Sequence, residues 1–269
     1  MTPVAVHRGA SPVILAFPHT GTEVPPDIAA RLNAEGRVLR DTDWHIHRLY
    51  DGLLDDETTV RATFHRYCID ANRDPAGNSL YPGQNTTGLV PETNFDGAPI
   101  WADGQEPSAR DVADRLERFH APYHAALLAE VERVRALHGV AILYDCHSIR
   151  SPIPFLFEGD LPDLNIGTDG GATCDPAVER AASEVCGAAE GFTSVLNGRF
   201  RGGWTTRHYG RPETGVHAIQ MELAQATHLA DGAPPFALDP SRAERLRAVL
   251  QPLLRRIEAV APSLKKASR

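Results

Sequence analysis

The chain has 269 residues, with 42% hydrophobic and 23% charged positions and a formal net charge of −8. That length is ample for a sizeable core. The acidic balance argues against nucleic acid or an anionic membrane as a partner, and no apolar run is long enough to span a bilayer.

In chain order, the apolar run "PVILAF" at 12–17 predicts a buried strand that stops at Pro18. "PPDIAARLNAEG" at 25–36 predicts a short helix, with proline at its start and glycine after its end. "DTDWHIHRLYDGLL" at 41–54 predicts a second helix, capped by Asp41 or Thr42. Residues 58–73 are rich in β-branched and aromatic side chains and predict two strands or one bent strand. Residues 74–106 read as a long loop of the kind that often carries function.

The clearest helix is predicted over 107–139, divided or kinked at Pro122. "VAILYD" at 140–145 is a strand, and the apolar "IPFLFEG" at 153–159 follows it. A loop over 159–175, a helix capped by Asp175, a short strand at 193–197 and a loop over 198–215 come next. "VHAIQMEL" at 216–223 predicts a strand, and residues 240–260 an amphipathic helix whose apolar face packs internally or against a partner. Residues 262–269 read as a frayed tail. Alternating strands and helices place the chain in the α/β class, with a mostly parallel sheet covered on both faces. With no linker or repeat to split it, the chain reads as one domain over 1–269.

Cys68, Cys146, Cys174 and Cys186 form no CxxC pair, which argues against a disulfide framework and a cysteine-rich zinc site. The N-terminus lacks the order of a signal peptide, so the expected location is the cytoplasm. In open α/β sheets, sites form where strands end. Here "LAFPHTG" delivers His19, "CIDANR" delivers Asp70, Asn72 and Arg73, "LYDCHS" delivers Asp145 and His147, and "AIQMELAQ" delivers Glu222. "DTDW" adds Asp41 and Asp43. Two histidines and a carboxylate from separate elements suit zinc, and a further carboxylate suits a base for its water. The serine-nucleophile elbow, the phosphate loop and the dinucleotide glycine motif are all absent from the sequence. Cys146 and His147 are strand neighbours and point to opposite faces, so Cys146 reads as a small core residue.

The segments "FPHTG", "DTDWHIHRLYD", "IDANR", "TTGLVP", "FHAPYH", "YDCHSIRS", "LNGRFRGGWTTRHYG" and "AIQMELAQ" occur in this order across roughly residues 11–258. Together they resemble the N-formylglutamate amidohydrolases. The resemblance implies a three-layer α/β/α sandwich around a mixed, mostly parallel sheet, similar to zinc carboxypeptidases and aspartoacylases. It implies hydrolysis of N-formyl-L-glutamate to formate and L-glutamate, in histidine degradation. The alternatives are another N-acyl amino acid amidohydrolase of the same mechanism, or a binding protein without turnover.

By the same resemblance, His19 and His147 match the metal-binding histidines of one divalent ion, most simply zinc. Asp43 is the preferred third ligand, with Asp41 and Glu23 as rivals, because Thr22 stands where a carboxypeptidase carries its ligating glutamate. Glu222 matches the general base; apart from the resemblance, Asp145 is a candidate to orient a ligand, and Arg66 or another donor to stabilise the oxyanion. Asn72 and Arg73 resemble a pair that grips a substrate carboxylate. Arg207 and then Arg201 are the candidates for the second carboxylate, since guanidinium binds carboxylate through two parallel hydrogen bonds. His124 and His208 are candidates for pocket lining or for packing.

Overall fold

A computed structural model describes residues 1–79 and 85–264. An edge strand not foreseen in the sequence, β1 (Val4–His7), precedes the predicted β2 (Val13–Phe17). The helix expected over 25–36 is two short ones, α1 (Pro26–Ala29) and α2 (Ala34–Arg37), because Asn33 leaves the helical conformation to cap α2 at Gly36 N. The next helix is confined to α3 (Ile46–Tyr50), since His45 before it sits at a left-handed φ of 61°. Of the predicted strand region, only β3 (Thr58–Ala62) is a strand, and apart from a single bridge at Phe64 the chain to Arg73 is turns and irregular backbone.

A capping box between Ser108 and Asp111 starts α4 (Ala109–Arg115). It runs through a π-turn at Leu116–His120 into α5 (Ala121–His138). Pro122 does not divide this helix. It follows the π-turn directly, where the hydrogen-bond ladder has already slipped by one residue. The remaining elements are β4 (Ala141–Ile149), β5 (Leu164–Gly167), α6 (Pro176–Gly187), β6 (Ser194–Leu196), α7 (Trp204–Tyr209), β7 (Val216–Ala224) and α8 (Pro240–Val260). Both β5 and α7 lie in segments expected to be loop. The apolar 153–159 stretch is turns, with Pro152 and Pro154 denying a ladder two donors. Its Ile153 instead packs with Phe95, Ile149 and Leu161. Ala261–Leu264 forms a 3-10 turn, and the rest of the expected tail, 265–269, lies outside the described residues.

The seven strands form one mixed sheet in the order β1-β3-β2-β4-β7-β5-β6. The central strands β3, β2, β4 and β7 run parallel, while β1 pairs antiparallel with β3, and β5 antiparallel with β7. Alternation along β2 sorts the core into two layers. Val13, Leu15 and Phe17 face α3, α6 and α8, and Ile14 and Ala16 face α5. On α8, Leu246, Leu250, Leu253, Leu254 and Ile257 are buried at helical spacing, each worth roughly 1.5–3 kcal/mol relative to exposure. The apolar face of α8 therefore packs internally. These layers form a three-layer α/β/α sandwich, and the C-terminal ends of β2, β4 and β7 open on one side of it.

Candidate active site

His147 and Glu222 are direct register partners on β4 and β7, so their side chains rise from one face of the sheet. Cys146 faces the opposite layer among Tyr144, Met221 and Cys186. His19 follows β2, and its carbonyl accepts a 3.0 Å hydrogen bond from Asp43 N. That bond brings the segment before α3 against the end of β2. Asp43 is then fixed from the other side, where Ser148 N donates to Oδ2 at 3.0 Å.

Three ligand atoms converge as a result. His19 Nδ1 and His147 Nδ1 stand 3.1 Å apart. Asp43 Oδ2 lies 3.2 Å from His147 Nδ1 and 3.8 Å from His19 Nδ1. All three residues are buried. Two nitrogens about 2.0–2.1 Å from one tetrahedral zinc stand roughly 3.3 Å apart, so the donor set suits such an ion.

The far side of the His19 ring supports this orientation. His19 Nε2 donates to Asp70 Oδ1 at 2.7 Å, which leaves Nδ1 its lone pair. Arg66 Nη2 donates to Asp70 Oδ2 at 2.6 Å. His147 Nε2 lies 3.1 Å from Asp145 Oδ1 and 3.1 Å from Asn72 Nδ2. Asp145 Oδ1 accepts no well-directed hydrogen bond, so its influence on the ring is mainly that of a nearby charge.

Electrostatics separates these groups. Burial holds His19 below its ordinary value, with Arg66 adding to the effect. Burial opposes the charge on His147 too, but Asp145 and Asp43 overcome it and raise that ring. Asp43 stays low despite burial, held there by His147 and His19. Burial pushes Glu222 up to about 8, and the neighbouring Asp43 adds to the rise. A carboxyl raised this far suits proton transfer near neutral pH.

The rival third ligands are accounted for elsewhere. Asp41 Oδ2 accepts from Tyr67 Oη at 2.8 Å and from Phe95 N at 2.9 Å. Glu23 is exposed, and its backbone bridges to Phe64. A cavity of about 280 Å³ opens over the histidines and Asp43. Arg66, Asn72, Arg73, Arg199, Gln220 and Glu222 line it, with an apolar wall of Leu89, Ile149, Leu156 and Phe200. Described parts of the loop over 74–106, among them Asn78 and Thr87, line it as well, while residues 80–84 lie outside the described residues.

A family profile described as N-formylglutamate amidohydrolase matches residues 11–229. The chain belongs to this family. An N-formylglutamate deformylase of Pseudomonas aeruginosa is 48% identical over 92% of each chain. One from Pseudomonas putida is 43% identical over 95% of this chain and 96% of its own. Among solved structures, the N-formylglutamate amidohydrolase of Ralstonia eutropha JMP134 superposes with a TM-score of 0.79 at 26% identity, covering 97% of this chain and 98% of its own. A gene product of Agrobacterium tumefaciens shares the fold, with a TM-score of 0.70 at 16% identity over 96% of each chain.

Within this amidohydrolase fold the candidate arginines part company. Arg73 lines the cavity, its guanidinium held by Thr87 O at 2.8 Å and Asn72 O at 3.0 Å. Arg207 pairs with Asp169 at 3.2 Å, and neither it nor Arg201 lines the cavity. Arg199, from the same glycine-rich loop, does line it. The sequence favoured Arg207 and then Arg201 and passed over Arg199, because a loop has no periodicity to assign direction. His124 and His208 pack around Trp204, with ring centroids 4.8 and 4.2 Å from its own. Gln220 went unremarked in the sequence, although it sits two residues before Glu222 on the same face of β7.

Proposed function

We propose that this protein hydrolyses N-formyl-L-glutamate to formate and L-glutamate, with one divalent metal held by His19, Asp43 and His147 and with Glu222 as general base. The observation that carries the reading is the convergence of both Nδ1 atoms on Asp43 beside a glutamate raised by burial. Family membership supplies the acyl group and the amino acid.

Zinc suits the nitrogen and oxygen donors, although other first-row ions accept the same set. When bound, the metal supplies an acidified water and polarises the formyl carbonyl. Glu222 takes the proton from the attacking water and later returns it to the departing amine. Arg66, buried against Asp70 and Asp43, is our choice of donor to the oxyanion. Asn72 and Arg73 are assigned to one substrate carboxylate. Arg199, in place of Arg201 and Arg207, is assigned to the other.

We further take residues 1–269 as one amidohydrolase domain with its core at about 11–258, since the described strands, from Val4 to Ala224, join in a single sheet. Four free, buried cysteines fit a reducing compartment, and we place the protein in the cytoplasm, acting in histidine degradation. Among the described residues no helix is long and apolar enough to cross a membrane.

The deciding experiment measures formate released from N-formyl-L-glutamate by the purified protein, after chelation and after zinc is restored. Release only with metal supports the whole reading. Metal binding without release would discard the substrate and send the test to N-acetylglutamate, N-formylaspartate and formyliminoglutamate.

A further inference from the structure

Gln220 Nε2 donates a 3.1 Å hydrogen bond to Glu222 Oε2. Its other end, Oε1, accepts one of 2.6 Å from Gly203 N. Gln220 is only 3% exposed and lines the same cavity as Glu222. Neither the metal-binding set nor the assigned carboxylate contacts use it.

A side-chain amide has one accepting end and one donating end, and a backbone N–H can only donate. Gly203 therefore fixes which way the amide lies. Oε1 must face Gly203, so the NH2 group must face Glu222. We propose that Gln220 is a positioning residue for Glu222, holding Oε2 as an acceptor so that Oε1 is the oxygen that takes and returns the proton. This rests on Glu222 being the general base.

Gly203 is itself tightly placed. A Cβ there would lie 2.3 Å from Asn72 Nδ2, so only glycine fits. Asn72 Oδ1 accepts from Thr205 N at 2.8 Å. Two buried side-chain amides thus satisfy N–H groups at the start of α7, which has no cap from its own residues. The links therefore run from Glu222 through Gln220, Gly203 and α7 to Asn72, whose Nδ2 lies 3.1 Å from His147 Nε2.

Two substitutions separate positioning of Glu222 from simple support of Gly203. Gln220→Met removes both hydrogen bonds. Gln220→Glu keeps an acceptor for Gly203 and replaces the donor with a carboxylate facing Glu222. Positioning predicts that both lower kcat by about ten- to a hundredfold, with KM held within about twofold and metal content intact. It also predicts that neither costs further activity in a Glu222→Gln background, because residues acting through one group are not additive. Wild-type kcat in Gln220→Glu, or losses that simply add to that of Glu222→Gln, would overturn the inference. If Gln220→Met does not fold, Gln220→Glu decides. If Gln220→Glu is unfolded too, Gln220 is a folding residue and the positioning role is gone. Full turnover in Glu222→Gln alone would instead remove the general-base reading on which the inference rests.

Discussion

His147 and Glu222 sit opposite one another in the parallel β4–β7 pair, at the same register and on the same face. Strand pairing alone therefore brings a proposed ligand and a proposed base together, with no loop needed to aim either. Glu222→Gln keeps the shape and removes the ability to accept a proton. It should lower kcat by about a hundredfold or more while metal content, read by elemental analysis, stays at the wild-type level. Unchanged turnover would remove Glu222 from the mechanism.

Asp41 and Asp43 are two residues apart and differ in what holds them. Asp43 Oδ2 meets both histidines, whereas Asp41 Oδ2 is turned to Tyr67 Oη and Phe95 N. Asp43→Ala should therefore lose bound metal, and Asp41→Asn should retain it. The second substitution should still cost stability, roughly 1–3 kcal/mol, because a buried donor loses its charged acceptor. Denaturant unfolding and metal content together test the pair, and metal loss in Asp41→Asn would reverse the assignment.

The strands that carry this site were legible because each is an apolar run ending in a polar residue. β2, β4 and β7 place His19, His147 and Glu222 where the sequence suggested. β5 was hidden because "LNIG" is four residues long and its polar Asn165 is buried, its NH2 donating to Pro162 O and Glu222 O. α7 was hidden for a related reason. Its start is capped by Asn72 and Gln220, which are distant in sequence, so no local signal announces it. The same long-range contacts explain why Gln220 looked like an ordinary strand glutamine.

Substrate capture should follow cavity lining. Arg199→Ala should raise KM more than Arg207→Ala does, because Arg199 lines the cavity and Arg207 is paired with Asp169 outside the lining. Arg73→Lys should also raise KM, since an ammonium offers a point charge where guanidinium offers a fork. Steady-state kinetics on N-formyl-L-glutamate checks the order. A larger effect at Arg207 would return the second carboxylate to that residue.

His228 is fully buried, and burial lowers its pKa to about 4. An unfolded histidine titrates near 6.5, so between those values the unfolded chain binds a proton that the folded chain refuses. Stability from this group is complete above pH of about 6.5 and falls as the pH drops toward about 4. The slope is at most about 1.4 kcal/mol per pH unit for one proton. His228→Asn removes the titration, so its unfolding free energy should fall less steeply than that of the wild type over this window. Urea unfolding at several pH values measures both slopes, and parallel curves would show that His228 is protonated in the folded protein.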